Sequence, residues 1–195
     1  YKNCRDRGCT CRIVPVSVKQ FCRHKRNKEM EKLVLSPQGL KQKAAGEKRQ
    51  HREVFKKLRR LKDNDLDARI NDLHHKFMDR MDCLSCANCC KSISPAMSGR
   101  DVERIARYLR KKPSQIVEEF MKVDQDGDYV FRSQPCPFLG EDNYCSVYEA
   151  RPNACREYPH TDRKRQGQIL DITYQNISVC PVVFELVQEL KNTDL

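Results

Sequence analysis

Cys83-Leu84-Ser85-Cys86-Ala87-Asn88-Cys89-Cys90 is the stretch that decides how this chain is read. Four thiols crowd into this CxxCxxCC run, and Cys136, Cys145, Cys155 and Cys180 follow singly behind it. Thiolate is the soft ligand that selects zinc, Cu(I) or iron-sulfur clusters, and three thiols spaced three apart can turn onto one centre without long-range folding. The later cysteines then close the cage. Two of them precede proline, as Cys136-Pro137 and Cys180-Pro181, which fixes the chain after the ligand and removes one backbone donor from a crowded site. Cys89 and Cys90, as neighbours, project in different directions. The pair can serve two centres, or one thiol can ligate while the other lies behind it or reacts.

A disulfide framework is the competing reading, and it needs an exported chain. Nothing near Tyr1 reads as the apolar core of a signal sequence, and no apolar run of about 18 residues offers a membrane span. The expected compartment is the cytoplasm, where thiols stay reduced and a cluster of eight is better explained as ligands.

Charge divides the chain. Residues 1–62 carry 20 Lys+Arg and 5 Asp+Glu, whereas 63–195 carry 18 and 22, so the overall +11 is local to the first segment. The expected organisation is a leader over 1–39, a basic helix over 40–62, and a cysteine-cluster metal-binding domain over 63–195. The leader is read as disordered or not native to the product: it opens on Tyr1, and it lacks helical or strand periodicity to Pro37. Cys4, Cys9, Cys11, Cys22 and His24 within it match none of the usual zinc-knuckle spacings. Along 40–62 the one apolar line is Val54, Leu58 and Leu61, which predicts a solvated helix. Lys56, Lys57, Arg59, Arg60 and Lys62 would neutralise phosphates, so nucleic acid is the alternative partner for this segment.

Elsewhere the pattern predicts helices joined by cysteine-bearing loops. A helix capped by Asn64 or Asp65 runs to about Met81 with Leu66, Ile70, Leu73, Phe77 and Met81 as its stripe, leaving His74 and His75 to solvent. Ser98 and Asp101 have capping-box spacing ahead of Val102, Ile105 and Leu109, and Pro113 closes that helix before Ser114 opens a short one. Asp124, Asp126 and Asp128 do not form a calcium loop, because the register puts Tyr129 and Pro135 where glycine and glutamate are required. Asp126-Gly127 is instead a hairpin turn into the strand Tyr129-Val130-Phe131. Gln168 to Tyr174 can add a strand. Pro181 opens a terminal helix with Val182, Val183, Leu186, Val187 and Leu190 on one face. The expected fold is a small, mainly α single domain with a short β-hairpin and long cysteine-rich loops tied by metal. The modest apolar content, 38%, leaves metal binding to supply part of the folding free energy.

The last third carries the most specific wording: Cys136-Pro137-Phe138-Leu139, Cys145-Ser146-Val147-Tyr148, Arg151-Pro152 and Cys155-Arg156-Glu157-Tyr158-Pro159. With CxxCxxCC and the closing Cys180-Pro181, this string resembles the YkgJ-like cysteine-cluster family, whose shared region is described as a zinc- or iron-chelating domain. The resemblance spans about 82–181. It implies metal chelation by Cys83, Cys86, Cys89, Cys90, Cys136, Cys145, Cys155 and Cys180, and no established reaction.

Around those thiols, Arg151 and Arg156 are placed to offset thiolate charge or donate to sulfur, since four thiolates on Zn²⁺ or on a [4Fe-4S]²⁺ cluster leave a net −2. Tyr148 and Tyr158 order the loops and offer hydroxyl donors. His160 is a further candidate ligand or rim residue, with Asp162 able to orient its ring. Zinc and an iron-sulfur cluster both satisfy the spacing. The chain has no nucleotide-binding glycine loop, Ser-His-Asp order or HExxH. A non-catalytic metalloprotein is therefore favoured over a cluster-dependent enzyme of methyl transfer or redox chemistry, for which flagellin lysine-N-methylases, with a related cysteine-rich region, are the analogy.

Overall fold

The computed structural model describes residues 36–193; the leader cysteines and His24 lie outside the described residues. Ser36 opens the first helix, α1 (Pro37–Gly46), by accepting from the Gly39 amide at 3.1 Å, with Pro37 in the first turn, where its missing N–H costs nothing. The single basic helix expected over 40–62 is in fact two. Gly46 is a poor helix former, Glu47 leaves helical geometry at φ −107°, and α2 (Lys48–Leu58) begins afresh. Nor is α2 merely solvated. It buries His51, Val54, Phe55 and Leu58 while its lysines and arginines stay outside.

The next helix, α3 (Asp63–Met78), starts after Lys62 rather than at an Asn64 or Asp65 cap, and Asp63 and Asp65 in its first turn face the positive end of the dipole. Leu66, Ile70 and Phe77 are buried as the stripe requires. His74 corrects the expectation of solvent exposure. It sits four residues after Ile70 on the same face, is 7% exposed, and meets Thr161 Oγ1 at 2.7 Å. His75 is exposed, as read from the sequence.

Two short helices, α4 (Cys83–Cys86) and α5 (Asn88–Ser92), carry the CxxCxxCC run into α6 (Gly99–Leu109). The Ser98/Asp101 capping box forms at the start of α6. Lys112, not Ser114, caps α7 (Pro113–Phe120), with Pro113 as its first residue. The hairpin pairs β1 (Met121–Val123) with β2 (Tyr129–Phe131) antiparallel, Met121 opposite Phe131. Asp124 Oδ1 accepts from the amides of Asp126 and Asp128, both at 3.0 Å, and Gly127 takes φ +87° in the turn. The strand allowed over 168–174 does not form. A 3₁₀ turn (Gln166–Ile169) leads into α9 (Leu170–Asn176), which follows α8 (Asn153–Glu157). Leu170, Thr173 and Ile177 fall on one buried helical face, a period that a strand cannot satisfy. Finally α10 (Pro181–Lys191) buries seven residues and packs on α1, α2 and α3.

Among the described residues the protein is thus mainly helical with one two-stranded hairpin. Its core has two parts. The first joins Leu40, Phe55, Leu58, Leu66, Ile70 and Phe77 to Val182, Val183, Leu186 and Val187 of α10. The second gathers Val102, Ile105, Ile116, Met121, Phe131, Phe138 and Val147 from α6, α7, the hairpin and the loop behind it. The charge boundary at 62/63 therefore cuts through the first cluster. Among the described residues no helix is long and apolar enough to cross a membrane.

Candidate metal centre

Each cysteine segment is fixed by its own local device. Asp82 caps α4, its Oδ1 accepting from Leu84 and Ser85 amides at 3.2 and 3.3 Å. Ala87 then adopts the left-handed conformation at φ +50°, a turn costing roughly 1 kcal/mol or more for a residue with a Cβ, and it separates Cys86 from the Cys89-Cys90 pair of α5. The Cys136 amide donates to the Cys90 carbonyl at 2.8 Å, docking the second long segment on α5. Leu139 and Cys145 form an antiparallel bridge, and Asn143 Nδ2 donates to the Ser85 carbonyl at 3.2 Å, which ties that loop to α4.

Cys155 lies in α8, and a polar clamp on α6 holds α8's approach. Arg104 donates to the carbonyls of Ala150 at 3.3 Å and Arg151 at 2.8 Å, and pairs with Asp101. Asp101 Oδ1 also accepts from the Asn153 amide at 3.0 Å. Cys180 is the residue before α10 and is buried within the first apolar cluster. The eight thiols are therefore carried by several separate segments, each held by its own contacts.

All eight thiols are free of disulfides. Cys89 Sγ and Cys90 Sγ stand 4.0 Å apart. Backbone N–H groups donate to sulfur from Asn88 to Cys86, from Phe138 and Leu139 to Cys136, from Val147 to Cys145, and from Val182 and Val183 to Cys180. Amides two or three residues beyond a cysteine stabilise its thiolate. Burial dominates: it pushes the thiol of Cys136 up to about 11 and those of Cys155 and Cys180 up to about 12. Cys83, Cys86 and Cys145 are raised for the same first reason. Cys89 and Cys90 share one sulfur–sulfur hydrogen bond, which lowers Cys90, while the same bond and burial raise Cys89.

The accompanying residues sort differently from the sequence expectation. Arg151 lies with its guanidinium 3.7 Å over the Tyr148 ring, and its charge favours the thiolates of Cys145 and Cys155. Arg156 instead donates to the carbonyls of Arg151 and Glu149, at 3.1 and 2.5 Å. It pins backbone. Tyr148 is 40% exposed, whereas Tyr158 packs on the first cluster with its hydroxyl buried and without a hydrogen-bond partner among the described residues. Burial and then the charges of Cys180, Cys89, Cys86 and Cys83 keep that hydroxyl protonated. His160 is half-buried, with Nδ1 4.0 Å from Glu157 Oε2, and burial lowers its proton affinity.

Sequence reading missed three participants. Lys91 Nζ donates to the Cys86 carbonyl at 3.4 Å and favours the thiolates of Cys86 and Cys90; as a lone lysine after CxxCxxCC it carries no signal of its own. The Asp101/Arg104 clamp was legible only as a helix cap. On α3, Asp67, Asn71 and His74 form an i, i+4, i+7 polar stripe that holds 161–166. Asp67 accepts from the amides of Arg165 and Gln166 at 2.7 and 2.8 Å, and Asn71 donates to the Asp162 carbonyl at 3.2 Å.

Among the described residues no three His, Cys, Asp or Glu side chains already stand around one point at ligand spacing. A cysteine needs only a χ1 change to swing its sulfur, so the fit rests on donor chemistry: soft thiols, amide donors aimed at sulfur, a buried tyrosine hydroxyl and two nearby cations. That set suits zinc or iron and is wrong for calcium or magnesium, which take oxygen. The class is a cysteine-rich chelating protein. Residues 82–180, just over half of the chain, match the CxxCxxCC family model, described as "Putative zinc- or iron-chelating domain", and the chain belongs to that family. No curated protein and no solved structure matches the chain.

Proposed function

We propose that this protein binds zinc or an iron-sulfur cluster through Cys83, Cys86, Cys89, Cys90, Cys136, Cys145, Cys155 and Cys180, acting as a metal-binding module rather than a catalyst, in a reducing, cytoplasmic setting. The observation that carries it is the backbone amide donation to sulfur at Cys86, Cys136, Cys145 and Cys180. An N–H aimed at sulfur stabilises thiolate, the ligating form, and does little for a neutral thiol. Charge supports the same reading, because Lys91 and Arg151 offset part of the negative charge that a thiolate centre retains. Metal analysis of reduced protein purified without oxygen tests it. Stoichiometric zinc, or iron with visible thiolate-to-iron absorption, is the expected result. Less than one equivalent of both metals would overturn it.

A second reading concerns a partner. From Lys41 to Lys62 the chain carries ten lysines and arginines and two glutamates, and the buried face of α2 holds that charge outward on a fixed helix. That favours a polyanion bound through phosphates without base reading, in keeping with the nucleic-acid alternative.

A further inference from the structure

We propose, building on the thiolate-chelation reading, that the eight cysteines form two four-thiolate centres, Cys83/Cys86/Cys89/Cys180 and Cys90/Cys136/Cys145/Cys155, joined by the Cys89–Cys90 peptide bond. Four thiolates complete a tetrahedral zinc site or hold one cubane, so eight ligands make two centres.

Packing separates Cys180 from Cys136 and Cys145. Cys180 belongs to the first apolar cluster, together with Met81 just ahead of α4 and with Tyr158. Cys136 and Cys145 pack on the second. Backbone pairing makes the same division: the Cys136 amide is bonded to the Cys90 carbonyl, and Cys145 is bridged to Leu139 of the Cys136 loop. The second set is completed by Cys155, whose segment is clamped by Asp101 and Arg104 of α6, the helix at the centre of the second cluster.

Successive helical residues point about 100° apart, which lets Cys89 and Cys90 turn to different centres even though their sulfurs lie 4.0 Å apart.

Tyr158 makes the centres unequal. Its hydroxyl is buried without a hydrogen-bond partner among the described residues, and the residue packs on the first apolar cluster, which holds Cys180. A donor on the side of one centre stabilises thiolate there and not at the other.

The test uses the reduced full chain and zinc as the probe, with metal counted by native mass spectrometry. Cys145→Ser and Cys180→Ser should each lose one zinc relative to wild type. Cys136→Ser with Cys145→Ser should still lose only one, whereas Cys145→Ser with Cys180→Ser should lose two. Because serine variants can misfold, singly loaded wild-type molecules are also alkylated and sequenced in the mass spectrometer; protected cysteines should appear as one quartet or the other. Tyr158→Phe should weaken the first quartet alone. A same-set pair that loses two zincs, or protected groups that mix the sets, would overturn the division. So would an unchanged first quartet in Tyr158→Phe alongside a weakened second. Wild type that takes up neither zinc nor iron defeats the underlying chelation reading and the division with it; wild type holding one metal among all eight thiols defeats the division alone.

Discussion

Replacing Phe55 with alanine tests whether the basic segment is part of the fold. Phe55 is 1% exposed on α2, and its ring meets Tyr174 edge-on with centroids 5.1 Å apart. Removing a buried phenylalanine costs about 3–5 kcal/mol, of which the aromatic contact supplies about 0.5–1.5. In a chain of this size each kcal/mol moves the melting temperature by about 2–4 °C, so Phe55→Ala should melt roughly 6–20 °C below wild type. Urea denaturation with the slope held constant gives the same quantity independently. A loss below about 1 kcal/mol would refute the packing of α2 on α9 and α10 and restore the solvated helix. The same reasoning extends to a chain starting at Asp63. It lacks Leu40, Val54, Phe55 and Leu58, each worth about 1.5–3 kcal/mol, a sum comparable to the total stability of a domain, so 63–195 should not unfold cooperatively.

Asp67→Ala removes two carboxylate hydrogen bonds to the amides of Arg165 and Gln166; about 2 kcal/mol should be lost on urea unfolding, with faster amide exchange over 161–166, and unchanged exchange there would refute the clamp. Burial lowers the proton affinity of His51, against the opposing charge of Glu47, whose Oε2 lies 3.7 Å from Nε2. The unfolded chain takes a proton that the folded chain resists, so His51 leaves stability intact above about pH 6.5 and removes it as pH falls toward the lowered folded value; His51→Leu should melt with a shallower acid decline, and an equal decline would exclude His51 as a source. Glu47, lowered by hydrogen bonds from Lys191 and Gln188, acts separately, its stabilisation being lost only below its usual range near 4.5. Arg49→Glu with Lys57→Glu on the exposed face of α2 should weaken binding to duplex DNA and flatten its salt dependence, by about 0.9 in log–log slope for each phosphate no longer neutralised, while thiol content and melting stay unchanged; an unaltered slope would remove the polyanion reading.

Most of the helices, the hairpin and the donor chemistry are legible in the sequence alone. Period and capping residues are local properties, so the Ser98/Asp101 box, the Asp124 turn, the stripe of α3 and the start of α10 at Pro181 were legible without contacts. The eight cysteines and the family they define were legible for the same reason: spacing and residue type survive in one dimension. Tertiary structure decided what those elements touch. Arg156 reads as a partner for thiolate beside Cys155, yet its donors are taken by the carbonyls of Glu149 and Arg151 once that loop folds back. His74 reads as a polar surface residue, but Thr161, far along the chain, supplies the hydrogen bond that makes its burial tolerable. The charge boundary at 62/63 misleads because net charge records the solvent side of a helix, while the side of α2 that carries Val54, Phe55 and Leu58 is claimed by α10 at the other end of the chain. Which thiols lie together is also a tertiary fact. Cys180 enters through the first apolar cluster and Cys136 and Cys145 through the second, and spacing alone carries no information about which cluster a distant cysteine will join.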